Sequence, residues 1–190
     1  MKSLIFKKLI FTILPLILLL ACEQQKTLVD YNVEMLIKKL DSAKETEQLI
    51  SAYQLAHYGQ YADLAVPKLS NILQNGSWPT KINTINTLKK IGTPNAVNVL
   101  EENLPELIAN LSTSDFQTQL FSIQAIGYYG QYGIKSLPEL SKTIEIADKN
   151  FNEFRKKNRL DLARQQKILA DAARYTIEQI YIGDKIPKKQ

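Results

Sequence analysis

From residue 33 onward the apolar side chains fall at helical rather than alternating spacing. Val33, Leu36, Ile37 and Leu40 occupy i, i+3, i+4 and i+7, the stripe that one face of an α-helix turns toward a core. Ile82, Ile85, Leu88 and Ile91 form a second stripe, and Leu169, Ala172, Ala173, Thr176, Ile177 and Ile180 a third. No stretch alternates apolar and polar residues with the period of two that a half-buried strand shows. The chain is therefore predicted to be all-α. Ser42-x-x-Glu45 and Ser114-x-x-Gln117 have capping-box spacing and predict two helix starts. Gly59, Gly76, Gly92, Gly130 and Gly183 stand where stripes stop, as left-handed residues closing helices do. Pro67, Pro79, Pro94 and Pro138 follow such stops, where a missing N–H is tolerated. Pro105 interrupts a helical stretch and is predicted to bend or split it.

The punctuation repeats. His57-Tyr58-Gly59-Gln60-Tyr61-Ala62 recurs as Tyr128-Tyr129-Gly130-Gln131-Tyr132-Gly133, and Pro67-x-Leu69-Ser70 recurs as Pro138-x-Leu140-Ser141. Ile91-Gly92-Thr93-Pro94 lies between as a divergent copy, with Val99 and Leu100 downstream. Each unit reads as a helix, a glycine turn and a second helix with an early proline. This pattern, over Ser42 to Ile182, resembles the HEAT-like repeats of the ARM-type superhelix, as three units and a looser last helix pair. The resemblance implies a short right-handed α-solenoid of HEAT-like helix pairs over residues 31–182. An irregular helical bundle with a duplicated turn is the alternative. Two features depart from the family pattern: Gln-Tyr replaces the usual Asp/Arg signature near the turn, and the third unit's second helix runs long and charged to Lys157.

The N-terminus has a different character. Lys2, Lys7 and Lys8 precede an apolar run from Leu9 to Ala21, shorter than the roughly 20 residues of a permanent membrane span and fitting a signal-peptide core. It ends in Leu19-Leu20-Ala21-Cys22, which resembles the bacterial lipobox. That resemblance implies cleavage before Cys22 and a covalent lipid, palmitate or a similar fatty acid, on the cysteine. The expected divisions are a signal peptide over 1–21, an acylated cysteine and polar tether over 22–30, the helical domain, and a basic tail over 183–190. Several acyl chains at about 0.8 kcal/mol per buried CH₂ hold a protein durably. The expected location is the exported side of a bacterial membrane. Glu23, standing where Asp would favour inner-membrane retention under enterobacterial sorting rules, leans the expectation to the outer membrane of a Gram-negative host.

Charge then changes meaning. The chain has 190 residues, with 24 Lys+Arg against 19 Asp+Glu and a formal net charge of +5. Setting aside Lys2, Lys7 and Lys8 leaves 21 against 19, or +2. Near-balance in an exported domain argues against a nucleic-acid partner.

Candidate chemistry is sparse. One Cys and one His supply neither a disulfide framework nor a multi-ligand metal site. His57, just before a turn, reads as structural. Gly127-x-x-Gly130-x-x-Gly133 lacks the Lys-Ser/Thr and the preceding strand of a phosphate loop and reads as a turn. Glu101, Glu102 and Glu106 read as a solvated helix face. No catalytic residues, metal, small-molecule substrate or cofactor beyond the lipid are expected, and the chain is not expected to be an enzyme. Tyr61 and Tyr132, with Gln60 and Gln131, are candidate partner-binding residues at equivalent turns, because Tyr buries area while its hydroxyl finds a hydrogen bond. Tyr58 and Tyr129, nearer the helix ends, read as inter-repeat packing. Arg155, Lys156, Lys157 and Arg159 are candidate lipid-headgroup contacts, each charge adding about 1 kcal/mol near an anionic surface. The expected function is a non-catalytic protein-binding scaffold or assembly factor of the cell envelope. The alternative is an inhibitor or immunity-type lipoprotein that blocks a toxin or enzyme.

Overall fold

The computed structural model describes residues 23–24 and 27–183, and the lipobox residues Leu19, Leu20, Ala21 and Cys22 lie outside them. Every regular element among the described residues is helical. Helix α1 covers 27–39, so residues 27–30, read as tether from sequence, form its first turn. There follow α2 (Glu45–Tyr58), the 3₁₀ segment η1 (Gly59–Ala65), α3 (Val66–Asn75), α4 (Trp78–Ile91) and α5 (Pro94–Asn110). The chain continues through α6 (Phe116–Tyr129), the 3₁₀ segment η2 (Gly130–Ser136), α7 (Leu137–Lys156) and α8 (Leu160–Gly183).

The helices form two layers. The first helix of each repeat unit packs on the next, α2 on α4, α4 on α6 and α6 on α8. The second helices α3, α5 and α7 return across them, each touching neighbouring first helices. The sequence explains this once residues are counted back from the turn glycines. Eight residues before Gly59, Gly92 and Gly130 stand Ser51, Thr84 and Ser122, all buried. Four residues before them stand Leu55, Leu88 and Ile126, each with no exposed surface. A small side chain one turn below a large one lets neighbouring backbones approach while still filling the seam.

Hydrogen bonds fix the register of those seams. Thr87 of α4 donates to the Ala52 carbonyl of α2 at 2.9 Å. Thr176 of α8 donates to the Ile123 carbonyl of α6 at 3.0 Å. Ala52 and Ile123 hold the same place in their units, seven residues before the glycine. Asn83 adds a bond to the Leu49 carbonyl at 2.7 Å, so α2 and α4 run parallel. The α4–α6 seam is held differently, by stacking of Trp78 on Phe121 with ring centroids 5.1 Å apart.

The repeated turns share a backbone as well as a sequence. Gly59 has φ 52, ψ −132 and Gly130 has φ 56, ψ −131, a region that a Cβ atom disfavours. Gly92 takes ordinary left-handed values, φ 64 and ψ 11, and passes directly through Thr93 into α5.

Several local expectations are corrected. Asp115, not Ser114, caps α6, its carboxylate accepting from the Thr118 N–H at 2.8 Å. A carboxylate one residue nearer the helix outcompetes the Ser114 hydroxyl. Ser42 does not box with Glu45; it donates to Glu47 at 2.6 Å, while Glu45 accepts from the Ser77 hydroxyl at the start of α4. Gly76 is extended rather than left-handed, with φ −76 and ψ 171, because the chain must run straight into the Ser77 cap. Pro105 does not split α5; it sits on the exposed face, where water can solvate the carbonyl left unpaired one turn earlier. Among the described residues a single helix, α8, follows the third unit.

Two outcomes test these assignments. Gly59→Ala and Gly130→Ala should each cost about 1–3 kcal/mol of stability, whereas Gly92→Asn should cost less because Asn tolerates left-handed geometry; thermal unfolding followed by circular dichroism reads the difference. Hydrogen bonds from the Thr118 hydroxyl and N–H hold the Asp115 carboxyl below its ordinary 3.8. A depressed carboxylate pKa stabilises above 3.8 and loses that contribution as pH falls through the folded-state value. Asp115→Ala should therefore melt lower than wild type at neutral pH, with the gap closing in acid.

Candidate functional site

The first helices also repeat on their outward side. Six residues before the turn glycines stand Tyr53, Asn86 and Gln124, and two residues before them His57, Lys90 and Tyr128. Because α2, α4, α6 and α8 run side by side, these positions and Tyr175 and Gln179 of α8 form one face. Three grooves cross it. The first, about 520 Å³, lies between α1 and α2 and is lined by Tyr31, Lys39, Gln54 and His57 among others. The second, about 380 Å³, lies between α2 and α4, with Tyr53, Asn86 and Lys90 on its walls. The third, about 470 Å³, runs between α4, α6 and α8, with Tyr128, Tyr175 and Gln179. Ala56 and Gly127, three residues before their glycines, keep these seams open; a Cβ on Gly127 would sit 3.3 Å from the Thr176 hydroxyl.

Position three of the middle unit is Lys89 instead. Its stem fills the gap and its ammonium donates to the Tyr128 carbonyl at 2.5 Å, in the last turn of α6. A cation there meets the negative end of the helix dipole. Partial burial lowers the Lys89 pKa below its ordinary 10.5. Lys90, exposed beside it, lies 6.0 Å from the Tyr53 ring centroid. Tyr53 meets His57 edge-on, with centroids 4.8 Å apart. His57 Nδ1 lies 3.0 Å from the Tyr53 carbonyl, which can only accept, so that nitrogen carries the proton and His57 is tied to its own helix. The lining side chains of all three grooves include no carboxylate. A groove on the other side of the molecule, between the α5–α6 loop and α7–α8, includes Glu139.

The sequence-predicted residues distribute unevenly. Tyr61 is 59% exposed and stands in η1 with Leu64, 73% exposed. Gln60 is exposed beside them. Tyr132 packs against the core and Gln131 is half-buried, so the two turns present unlike surfaces. Tyr58 packs on the core and Tyr129 is fully buried; burial, with the nearby Glu106 charge, pushes the Tyr129 hydroxyl pKa up. Gly127-x-x-Gly130-x-x-Gly133 spans the end of α6 and η2, and a Cβ on Gly133 would lie 3.1 Å from the Ile126 carbonyl. Its role is close packing.

Arg155, Lys156, Lys157 and Arg159 cap the α7–α8 hairpin and are all exposed. Arg155 lies over Phe151 and Arg159 over Phe154, each 5.6 Å from the ring centroid. Asn158 turns the corner at φ 55, with the Arg159 N–H bonded to the Phe154 carbonyl at 2.8 Å. Thr176 is level with Ile123, yet α8 starts sixteen residues before Thr176 and α6 seven before Ile123. At 1.5 Å per residue the hairpin projects about 14 Å beyond the start of α6. It does so at the end where the first helices begin, far from the glycine turns.

Among the described residues no three His, Cys, Asp or Glu side chains gather as a metal site, and no helix is long and apolar enough to cross a membrane. Tyr53, Asn86 and Tyr175 were not singled out by sequence; counting from the turn glycines would have found the first two. No protein-family model, curated protein or solved structure matches the chain.

Lys89→Met should lower stability by about 1 kcal/mol, the charged hydrogen bond lost less the desolvation relieved. A lysine with a lowered folded-state pKa leaves the unfolded state binding more protons, so wild type should gain on the variant as pH rises toward 10.5. Thermal melts across alkaline pH read both effects.

Proposed function

We propose that the chain is a bacterial envelope lipoprotein, lipidated at Cys22 and carrying a short HEAT-like α-solenoid that binds another protein without catalysis. The observation that carries this reading is the grooved face of the first helices. Stacked helix pairs offer an extended surface of this kind rather than an enclosed pocket. Exposed tyrosines at Tyr53, Tyr128 and Tyr175 supply anchors whose rings bury area and whose hydroxyls bond at the rim. The two-layer contact order, with one first helix packed on the next, supports a repeat architecture. The lipobox pattern supports attachment, since the one cysteine of the chain stands directly after Leu19-Leu20-Ala21.

Both halves have a test. Cells fed an alkyne-labelled fatty acid should label wild type and spare Cys22→Ser; equal labelling removes the lipoprotein reading. Photo-crosslinkers placed at Asn86 and Gln124 in the membrane-borne protein should trap one defined partner. A crosslinker at Glu145, on the far side in α7, should not trap it. Equal yield from both sides means that the face is not the binding surface.

A further inference from the structure

Across α2, α4 and α6 the charges are segregated, whereas α8 carries both signs, Asp161, Asp171 and Glu178 with Arg164, Lys167 and Arg174. Helix α2 carries acids only in its first turn, Glu45 and Glu47. Helix α4 carries Lys81, Lys89 and Lys90 and no acid, and α6 carries no charged side chain at all. Lys39, on α1, joins the same face through the first groove. Among the described residues Lys39, Lys89 and Lys90 form no ion pair, as Lys38, Lys81, Lys149 and Lys156 also do not, whereas Lys44, Lys68, Lys135, Lys142, Lys157 and Lys167 each pair with a carboxylate. The Lys89 ammonium is also partly withdrawn from water, where a charge interacts more strongly with an incoming anion than at the fully exposed surface.

We propose that this face binds an acidic segment of a protein partner, laid across the grooves between α1, α2, α4, α6 and α8. The proposal rests on the protein-binding reading above and specifies the partner's chemistry. Charge complementarity selects an anion. Asn86, Gln124 and Gln179 select a peptide, because a side-chain amide pairs with a backbone amide as donor and acceptor at once. Tyr53 and Tyr175 supply flat apolar walls between the polar groups. A neutral or anionic saccharide presents many hydroxyl donors and would call for the carboxylate acceptors that these grooves lack. A flat lipid surface cannot enter grooves between helices.

The test uses the full-length acylated chain in phosphatidylcholine nanodiscs and a peptide bearing an uncharged dye, followed by fluorescence anisotropy. Alternating Glu-Ala dodecapeptide should bind saturably, and the matched Gln-Ala peptide should not. Lys39→Gln/Lys90→Gln should weaken binding by about tenfold or more, the usual size of a close charge contact. The control Lys156→Gln/Lys157→Gln, which removes the same charge from the α7–α8 hairpin, should change it less than about twofold. Circular dichroism should show all variants folded. Equal binding of the Gln-Ala peptide, or equal loss from the two lysine pairs, overturns the proposal. So does displacement of the acidic peptide by phosphatidylglycerol vesicles or by polygalacturonate, which would assign the face to a membrane or a saccharide. A crosslinked partner retained by Lys39→Gln/Lys90→Gln, without peptide binding, would sink the acidic-segment proposal and leave the scaffold standing. Loss of the crosslinked partner as well would remove both.

Discussion

The close parallel packing of successive first helices is the constraint on which the rest of the structure depends. It needs small residues at Ser51, Thr84 and Ser122 so that backbones can meet, and it is pinned in register by Thr87 and Thr176 reaching the Ala52 and Ile123 carbonyls. A threonine bonding across a seam does two jobs. It satisfies its own hydroxyl, and it gives a second partner to a carbonyl already inside a helix ladder, which has the lone pair to spare. Sliding α8 by one residue would cost the Thr176 hydroxyl its partner, about 1–3 kcal/mol, whereas the Thr87 hydroxyl could turn to the Asn83 carbonyl of its own helix, also 2.9 Å away. Register fixed in this way carries the outward residues with it. Tyr53, Asn86 and Gln124 face one way because Leu55, Leu88 and Ile126 face the other.

The two 3₁₀ turns show how far a repeat can diverge while its geometry holds. Gly59 and Gly130 share φ and ψ to within a few degrees, although what surrounds them differs. In η1, Asp63 accepts from the Thr93 hydroxyl and from Asn95 at 2.8 Å, tying the turn to the start of α5. In η2 the matching residue is Ile134, half exposed, and Ser136 donates within the segment itself, to the Gly133 carbonyl at 2.6 Å. The backbone is held by the glycine and by the apolar residues before and after it. The polar ties are free to differ. The packing around the turns differs too: η2 lies against α8, and Tyr132 packs inward, while η1 lies against α2, α3 and α4, and Tyr61 is exposed.

Legibility from sequence followed the range of the interactions involved. The all-α class is readable because periodicity is a local property; of the glycines expected to be left-handed Gly92 is, while Gly59 and Gly130 have ψ near −131 and Gly76 is extended. Helix starts are readable to within one or two residues and no better: Lys44, not Ser42, stands at the N-cap of α2. Ser114 and Asp115 both suit an N-cap, and only the position of the Thr118 N–H decides between them. Pro105 was misjudged because the cost of a proline depends on which side of the helix it faces, and that is set by Leu100 and Leu104 packing inward. The candidate site was the least readable part. The eye goes to the duplicated Tyr-Gly-Gln-Tyr turn, whereas the grooves are built one and two helical turns upstream, from side chains such as Asn86 and Gln124 that carry no motif.

Whole-chain charge was also a poor guide to chemistry, and the reason is physical. Setting aside the first three lysines leaves nearly equal numbers of acids and bases, which argues against nucleic acid but says nothing about any one face. Screening limits a surface charge to a radius of about 8–10 Å in salt, less than the breadth of the four first helices. A ligand on that face therefore responds to Lys39, Lys89 and Lys90, and barely to Glu101, Glu139 and Glu153 on the second layer. A balanced protein can thus present an unbalanced face where most of its acids are gathered elsewhere. The ion pairs Lys135–Glu101, Lys142–Glu139 and Lys157–Glu153 do that gathering. They add little stability as exposed pairs, but they hold the negative charge of the second layer next to cations of its own, away from the grooves.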